Sequence, residues 1–191
     1  MFSRSTRNYR GFTLVELLVT ISILSITMAI AIPNLSDFLV KLRVNNEISE
    51  LHRLLLSARN AAITSESNVT ICPLSAGNAC TSDWEKEITV FTDLDNDGVY
   101  EPASNERIIK VKAAAQSGDK LQYSETRLTY VATGTLTRAI SSGPRFSYCP
   151  YDKASLSRGI LVSASGRTYV TSDTDGDSKD EDRNGSEVTC S

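Results

Sequence analysis

Apolar and polar positions divide the chain into three textures. From Phe12 to Pro33, fifteen of 22 positions are apolar and Glu16 is the only charge. Leu17 to Ser36 forms an uncharged run of 20 residues. As a helix this run spans about 30 Å, the thickness of a bilayer core. Beyond Pro33, Leu35, Phe38 and Leu42 recur at helical spacing, and so do Val44, Ile48, Leu51, Leu55, Ala58 and Ala62. Lys41, Arg43, Glu47, Glu50 and Arg53 fall largely on other faces. The pattern predicts one helix from Phe12 to about Ser65, a rod of about 80 Å. Its second half is amphipathic and needs a cover. Pro33 removes one backbone hydrogen bond and predicts a helix break, as a kink or local melting.

After Ser65, short β-branched and aromatic runs alternate with Asp, Asn, Ser and Gly. Strands are predicted at Asn68–Cys72, Glu87–Asp93, Arg107–Lys112, Leu121–Ser124, Leu128–Ala132, Arg145–Cys149, Gly159–Ala164 and Arg167–Thr171. A long helix feeding a strand-rich domain is α+β, with the helical stripe packed on one face of an antiparallel sheet. The expected layout is a membrane or assembly half-helix over 12–36, an amphipathic half over 37–65, and a β-rich domain over 66–191.

Composition adds three points. Residues classed as hydrophobic make up 40% of the 191, and the N-terminal run accounts for much of that share. This argues against a polytopic membrane protein, and the remaining apolar residues suffice for a small core. Net charge is −3, and loss of the first eleven residues with Arg4, Arg7 and Arg10 takes it to −6. No global attraction to nucleic acid or anionic lipid is expected from that charge. The arginines before the apolar run place the N-terminus in the cytoplasm and the bulk of the chain across the membrane from it. A cleaved secretory signal is the alternative, but the run is longer than an h-region and carries an acid near its start.

Arg10-Gly11-Phe12-Thr13-Leu14-Val15-Glu16-Leu17 resembles the type IV prepilin motif. The resemblance implies a leader over 1–11 and cleavage between Gly11 and Phe12 by a prepilin peptidase of the inner membrane. It also implies N-methylation of Phe12. Glu16 becomes the fifth mature residue, which the family uses in assembly with other pilins. The remainder is similar to GspH/FimT-type minor pilins. The similarity lies in Leu55 through Cys72, in Trp84 with Ile88-Thr89-Val90-Phe91-Thr92-Asp93, and in Arg158-Gly159-Ile160-Leu161-Val162 with Ser165-Gly166-Arg167. The implied fold is type IV pilin-like and the implied function is a minor pilin of a type IV pilus. A type II secretion pseudopilin is the alternative. The tail after Val170 is longer and more acidic than the family pattern.

Individual residues offer four candidate chemistries. Cys72, Cys80, Cys149 and Cys190 permit three pairings, and no C-x-x-C motif offers a zinc site. The expected pairs are Cys72–Cys80 and Cys149–Cys190, worth about 2.5 and 4 kcal/mol by loop entropy. Asp93, Asp95 and Asp97 precede Gly98 in the D-x-D-x-D-G pattern of a calcium loop. The twelfth position is Ser104, so Glu101 or Glu106 would have to supply the missing ligand. Asp173, Asp175 and Asp177 through Asp180 to Asp182 repeat the alternation. The plain alternative is that such residues make polar turns.

Some family members bind DNA through a G-R-x-R stretch. Here Gly166-Arg167-Thr168-Tyr169 keeps one arginine, leaving Arg158 and Arg167 as candidates and Tyr169 as a base-stacking side chain. Seven acids between Asp173 and Glu187 oppose phosphate, so DNA is not the favoured partner. Enzymatic readings lack parts: His52 is the single histidine, is expected to be solvated on its helix, and has no nucleophile near it in sequence. No phosphate-cradling glycine loop is present.

Overall fold

The structure is a computed structural model describing residues 11–137 and 145–190, with the side chains of residues 33 and 34 outside the described set. The chain divides into two compact units, Met1–Leu39 and Val40–Ser191. Helix α1 spans Leu14–Ser65 and contributes to both. α1 runs through Pro33 without interruption, so of the kink or local melting expected there, the melting is corrected. A proline removes a single i to i−4 bond, and the bonds on either side suffice to carry the helix past it.

Eight strands follow: β1 (Val69–Pro73), β2 (Ile88–Thr92), β3 (Ile108–Lys112), β4 (Lys120–Gln122), β5 (Leu128–Tyr130), β6 (Arg145–Cys149), β7 (Arg158–Val162) and β8 (Thr168–Val170). Each overlaps a predicted strand, with ends that differ by no more than two residues. Every pairing is antiparallel, as expected. The antiparallel β domain is as expected, and its strands divide into two four-stranded sheets, ordered β3-β2-β1-β5 and β4-β6-β7-β8. β1 pairs with both β2 and β5, while β4 pairs with β6, so the chain changes sheets after β3 and again around β5.

The core explains why the sheets share one helix. From α1, Val40, Val44, Ile48, Leu51, Leu54, Leu55, Ala58 and Ala62 are buried together with Ile71, Val90 and Tyr130 of one sheet and Phe146, Tyr148 and Ile160 of the other. Each large apolar side chain removed from water contributes about 1.5–3 kcal/mol. Leu35, Phe38 and Leu42 share the helical period but remain exposed. Aromatic rings close the space between the sheets. Trp84 meets Tyr123 and Phe146 edge-on at 5.0 and 5.2 Å, and Tyr123 stacks on Phe146 at 4.2 Å. The Trp84 indole N–H donates to the Glu125 carbonyl at 2.8 Å, so this large ring is buried without an unpaired donor.

Polar side chains of α1 fix its position. Arg43 pairs with buried Asp119 at 2.9 Å, and Asp119 also accepts the Tyr148 hydroxyl and the Tyr151 N–H. Glu47 pairs with Lys112 at 2.6 Å, although Lys112 is only 2% exposed. Arg59 Nε donates to the Gly134 carbonyl at 2.9 Å and Nη2 to the Ser165 carbonyl at 3.2 Å. One guanidinium thus ties the turn after β5 to the turn between β7 and β8. His52 is half-buried and its Nε2 lies 2.8 Å from Thr168 Oγ1, which corrects the expectation of a solvated histidine.

Gly166 sits where those two turns meet. It has φ +75°, and a Cβ there would lie 2.0 Å from the Gly134 carbonyl oxygen. Gly166→Ala is expected to destabilise the fold by about 2–4 kcal/mol, read as a lowered melting temperature. A second expectation concerns alkali. Burial raises the phenol pKa of Tyr123, Tyr130 and Tyr148 above the usual 10.0, and for Tyr148 the hydrogen bond to Asp119 adds to the rise. These phenols therefore keep their protons in the folded state after the unfolded chain has lost them. The stability they contribute is complete below pH 10 and is lost as pH rises above it, by up to about 1.4 kcal/mol per pH unit for each tyrosine. Denaturation midpoints measured from pH 8 to 12 check this. Tyr130→Phe, which removes a buried hydroxyl without a hydrogen-bond partner, should make the decline shallower.

Candidate functional site

The chemistry of the N-terminal segment begins at its cap. Thr13 precedes α1, and its Oγ1 accepts the Glu16 N–H at 3.2 Å while its carbonyl accepts the Leu17 N–H at 3.1 Å. Thr-x-x-Glu is the spacing of a helix capping box, and an acid in the first turn also favours the helix dipole. From Leu14 to Ile32 every residue is exposed, and so are residues 35 to 39. The polar residues inside this stretch are satisfied by their own helix. Thr20 donates to the Leu17 carbonyl, Ser22 to Leu18, Ser25 to Ile21, and Thr27 to Ile23 and Leu24. This helix is long and apolar enough to cross a membrane. Glu16 is exposed, and among the described residues it forms no ion pair. Gly11 and Phe12 are exposed just before the helix, as an accessible peptide bond requires.

The loop after β2 brings together part of the predicted cation set. Asp93, Asp95 and Glu106 each offer a carboxylate oxygen, all within 4.8 Å of one another. Asp97, named from the motif, is outside this cluster, which corrects the predicted ligand set. Its Oδ1 turns back to accept the Val99 N–H at 2.7 Å. Between the two candidates for the missing ligand, the fold selects Glu106 over Glu101. Phe91 lies opposite Ile108 in the β2–β3 ladder, and two more residues along each chain set Asp93 against Glu106. The Glu106 oxygens accept the Leu94 and Glu101 N–H groups at 2.9 and 2.8 Å. Asp93 is fully buried, and its Oδ2 accepts the Thr70 hydroxyl at 2.6 Å.

The disulfides are Cys72–Cys80 and Cys149–Cys190, with Cα–Cα distances of 5.5 and 6.1 Å. The first pins the loop after β1, and the second ties the acidic tail to the end of β6.

The two arginines named for DNA have different fates. Arg158 Nε pairs with Asp180 at 2.7 Å, Nη1 donates to Asn45 and Nη2 to the Thr171 carbonyl. Every nitrogen of that guanidinium is committed inside the fold, so Arg158 holds the tail and is not free for phosphate. Arg167 is exposed, but Arg183 lies over the Tyr169 ring at 4.0 Å and covers the proposed stacking face. This arrangement was not legible in sequence, because Asp180 is 22 positions away and reaches Arg158 only through the tail's return path.

The exposed apolar helix, its capped acid and the two-sheet domain define the pilin class of protein. The family model described as Type II transport protein GspH matches residues 47–166, and the chain belongs to that family. The model of the prokaryotic N-terminal methylation motif matches residues 6–32. The chain is a minor pilin or pseudopilin with that motif. In fold it is similar to the type IV minor pilin FimU of Pseudomonas aeruginosa, solved in two crystal forms. The first has a TM-score of 0.55 and 19% identity, covering 71% of this chain and 92% of that one; the second has 0.52 and 19%, covering 67% and 92%. A curated fimbrial protein of Pseudomonas aeruginosa is 37% identical over 54 residues, which is 28% of this chain and 35% of the relative. The chain thus spans about a third of that relative's length.

Arg158→Ala is expected to lower the melting temperature, with a loss of about 1–3 kcal/mol for a stripped ion pair and two hydrogen bonds. Retardation of DNA in a low-salt gel shift should be absent both before and after the substitution.

Proposed function

We propose that the chain is a minor pilin of a type IV pilus, a structural or initiating subunit without catalytic activity. In this reading a prepilin peptidase cuts between Gly11 and Phe12, and the new Phe12 amine is methylated. Residues 12–36 hold the protein in the inner membrane with residues 66–191 on the periplasmic side. The same helix then leaves the lipid to pack among the helices of other pilins. The observation that carries the reading is the exposed, internally satisfied apolar run that begins at a solitary acid. Glu16 in a low-dielectric setting needs a positive partner. A free amine created at Phe12 of a neighbouring subunit supplies one, which couples cleavage to assembly. The fimbrial relative favours a pilus. The family model's own description favours a type II secretion pseudopilus as the second reading.

Gly11→Ala is expected to leave the precursor uncut, seen as an unchanged mass of the membrane-bound protein. Glu16→Ala should be cut normally yet be missing from sheared surface fibres. Wild-type fibre content in both variants would defeat the proposal. Loss of exoprotein secretion with normal pili in a deletion strain would move the assignment to the second reading.

A further inference from the structure

After β8 the chain returns across the second sheet. Isolated bridges pair Ser172 with Glu181 and Glu181 with Glu187, Val188 is buried, and Cys190 ends the path at Cys149. Within this return, Asp173, Asp175, Asp177 and Glu181 each offer one carboxylate oxygen, and these four atoms lie within 4.8 Å of one another. Three of the residues are exposed, but Glu181 is only 4% exposed. Its Oε2 accepts the N–H and hydroxyl of Thr174 at 2.7 and 2.8 Å. Its Oε1 is buried with no hydrogen-bond partner.

A run of polar turns accounts for the aspartates. The Asp173 oxygens accept the Gly176 and Ser178 N–H groups, Asp175 accepts from Asp177, and Asp177 from Lys179. Polar turns do not account for Glu181. A carboxylate oxygen taken out of water without a donor is strongly unfavourable, and three further acids at this range raise the penalty. Among the described residues the cation paired with the cluster is Lys179, 3.6 Å from Asp177 but 2.7 Å from Glu187, on the outer surface. A divalent ion meets both demands. Oxygens at 2.3–2.6 Å from calcium stand up to about 4.6–5.2 Å apart across the shell, which accommodates the observed spread. Four carboxylates also suit calcium better than magnesium, which keeps most of its water and takes one or two.

We propose that Asp173, Asp175, Asp177 and Glu181 bind a calcium ion. The ion would fasten the tail beside the Asp180–Arg158 pair, and so hold the return path onto β7. A separate orphan atom carries a second, three-carboxylate site. Asp93 Oδ1 is buried without a hydrogen-bond partner, and Asp93 clusters with Asp95 and Glu106. Neither site enters the assembly chemistry of the N-terminal helix.

The test uses full-length protein in detergent, stripped with chelator and titrated with calcium chloride by calorimetry. Thermal melts are run in parallel. Two ions per chain are expected, with affinities in the range of extracellular calcium modules, about 0.1–1 mM. Millimolar calcium should raise the melting temperature by about 3–6 °C, and equal magnesium should not. The double variant Asp175→Asn, Asp177→Asn changes exposed side chains and should remove one ion. Asp95→Asn, also at an exposed position, should weaken the other at least about 10-fold. Binding that survives intact in the double variant overturns the tail site. Binding that survives intact in Asp95→Asn overturns the loop site. No heat and no melting shift up to about 10 mM calcium overturns both.

Discussion

Neither sheet can be stable without the buried face of α1. Each has only four short strands, and each brings one apolar side to the stripe from Val40 to Ala62. The interior strand β1 is covered along its whole length. The helix gains in return, because an isolated helix owes most of its stability to packing of this kind. Ala58, Ala62, Leu51, Leu54 and Leu55 are all buried in the shared core. Removing the helix would expose both sheets at once.

Apolar burial alone would allow the helix to slide or rotate against such a surface. The polar contacts remove that freedom. Arg43 with Asp119, Glu47 with Lys112, His52 with Thr168 and Arg59 with two turn carbonyls are spread along α1. They reach elements of both sheets, so the helical register and the relation of the sheets are set together. Lys112 and Asp119 are buried, and leaving either charge unpaired would be costly, which makes these contacts selective.

Periodicity carried most of this architecture. The stripe from Val44 to Ala62 and all eight strands follow from spacing and β-branched runs. Division into two sheets did not follow, because pairing depends on where distant strands land. Leu35, Phe38 and Leu42 share the helical period, yet periodicity cannot say which turn of a helix finds a cover. Among site residues, alternate acids marked both loops. Glu106 joins the cluster and Asp97 does not, because a ladder register, not a motif position, decides which carboxylate faces Asp93. Arg158 read as a free cation in sequence for the same reason: Asp180 reaches it only in three dimensions.

The hydroxyls of Thr20, Ser22, Ser25 and Thr27 carry a mechanical consequence. Because each is already spent on its own helix, the segment has no directional bonds to break when one surrounding is exchanged for another. In the proposed passage from lipid to fibre, such a surface would act as a smooth bearing against acyl chains or neighbouring helices. A bearing alone would let subunits stop anywhere along one another. In the proposed assembly Glu16 would be the single detent on that track, and one carboxylate at one end would decide the axial step between subunits.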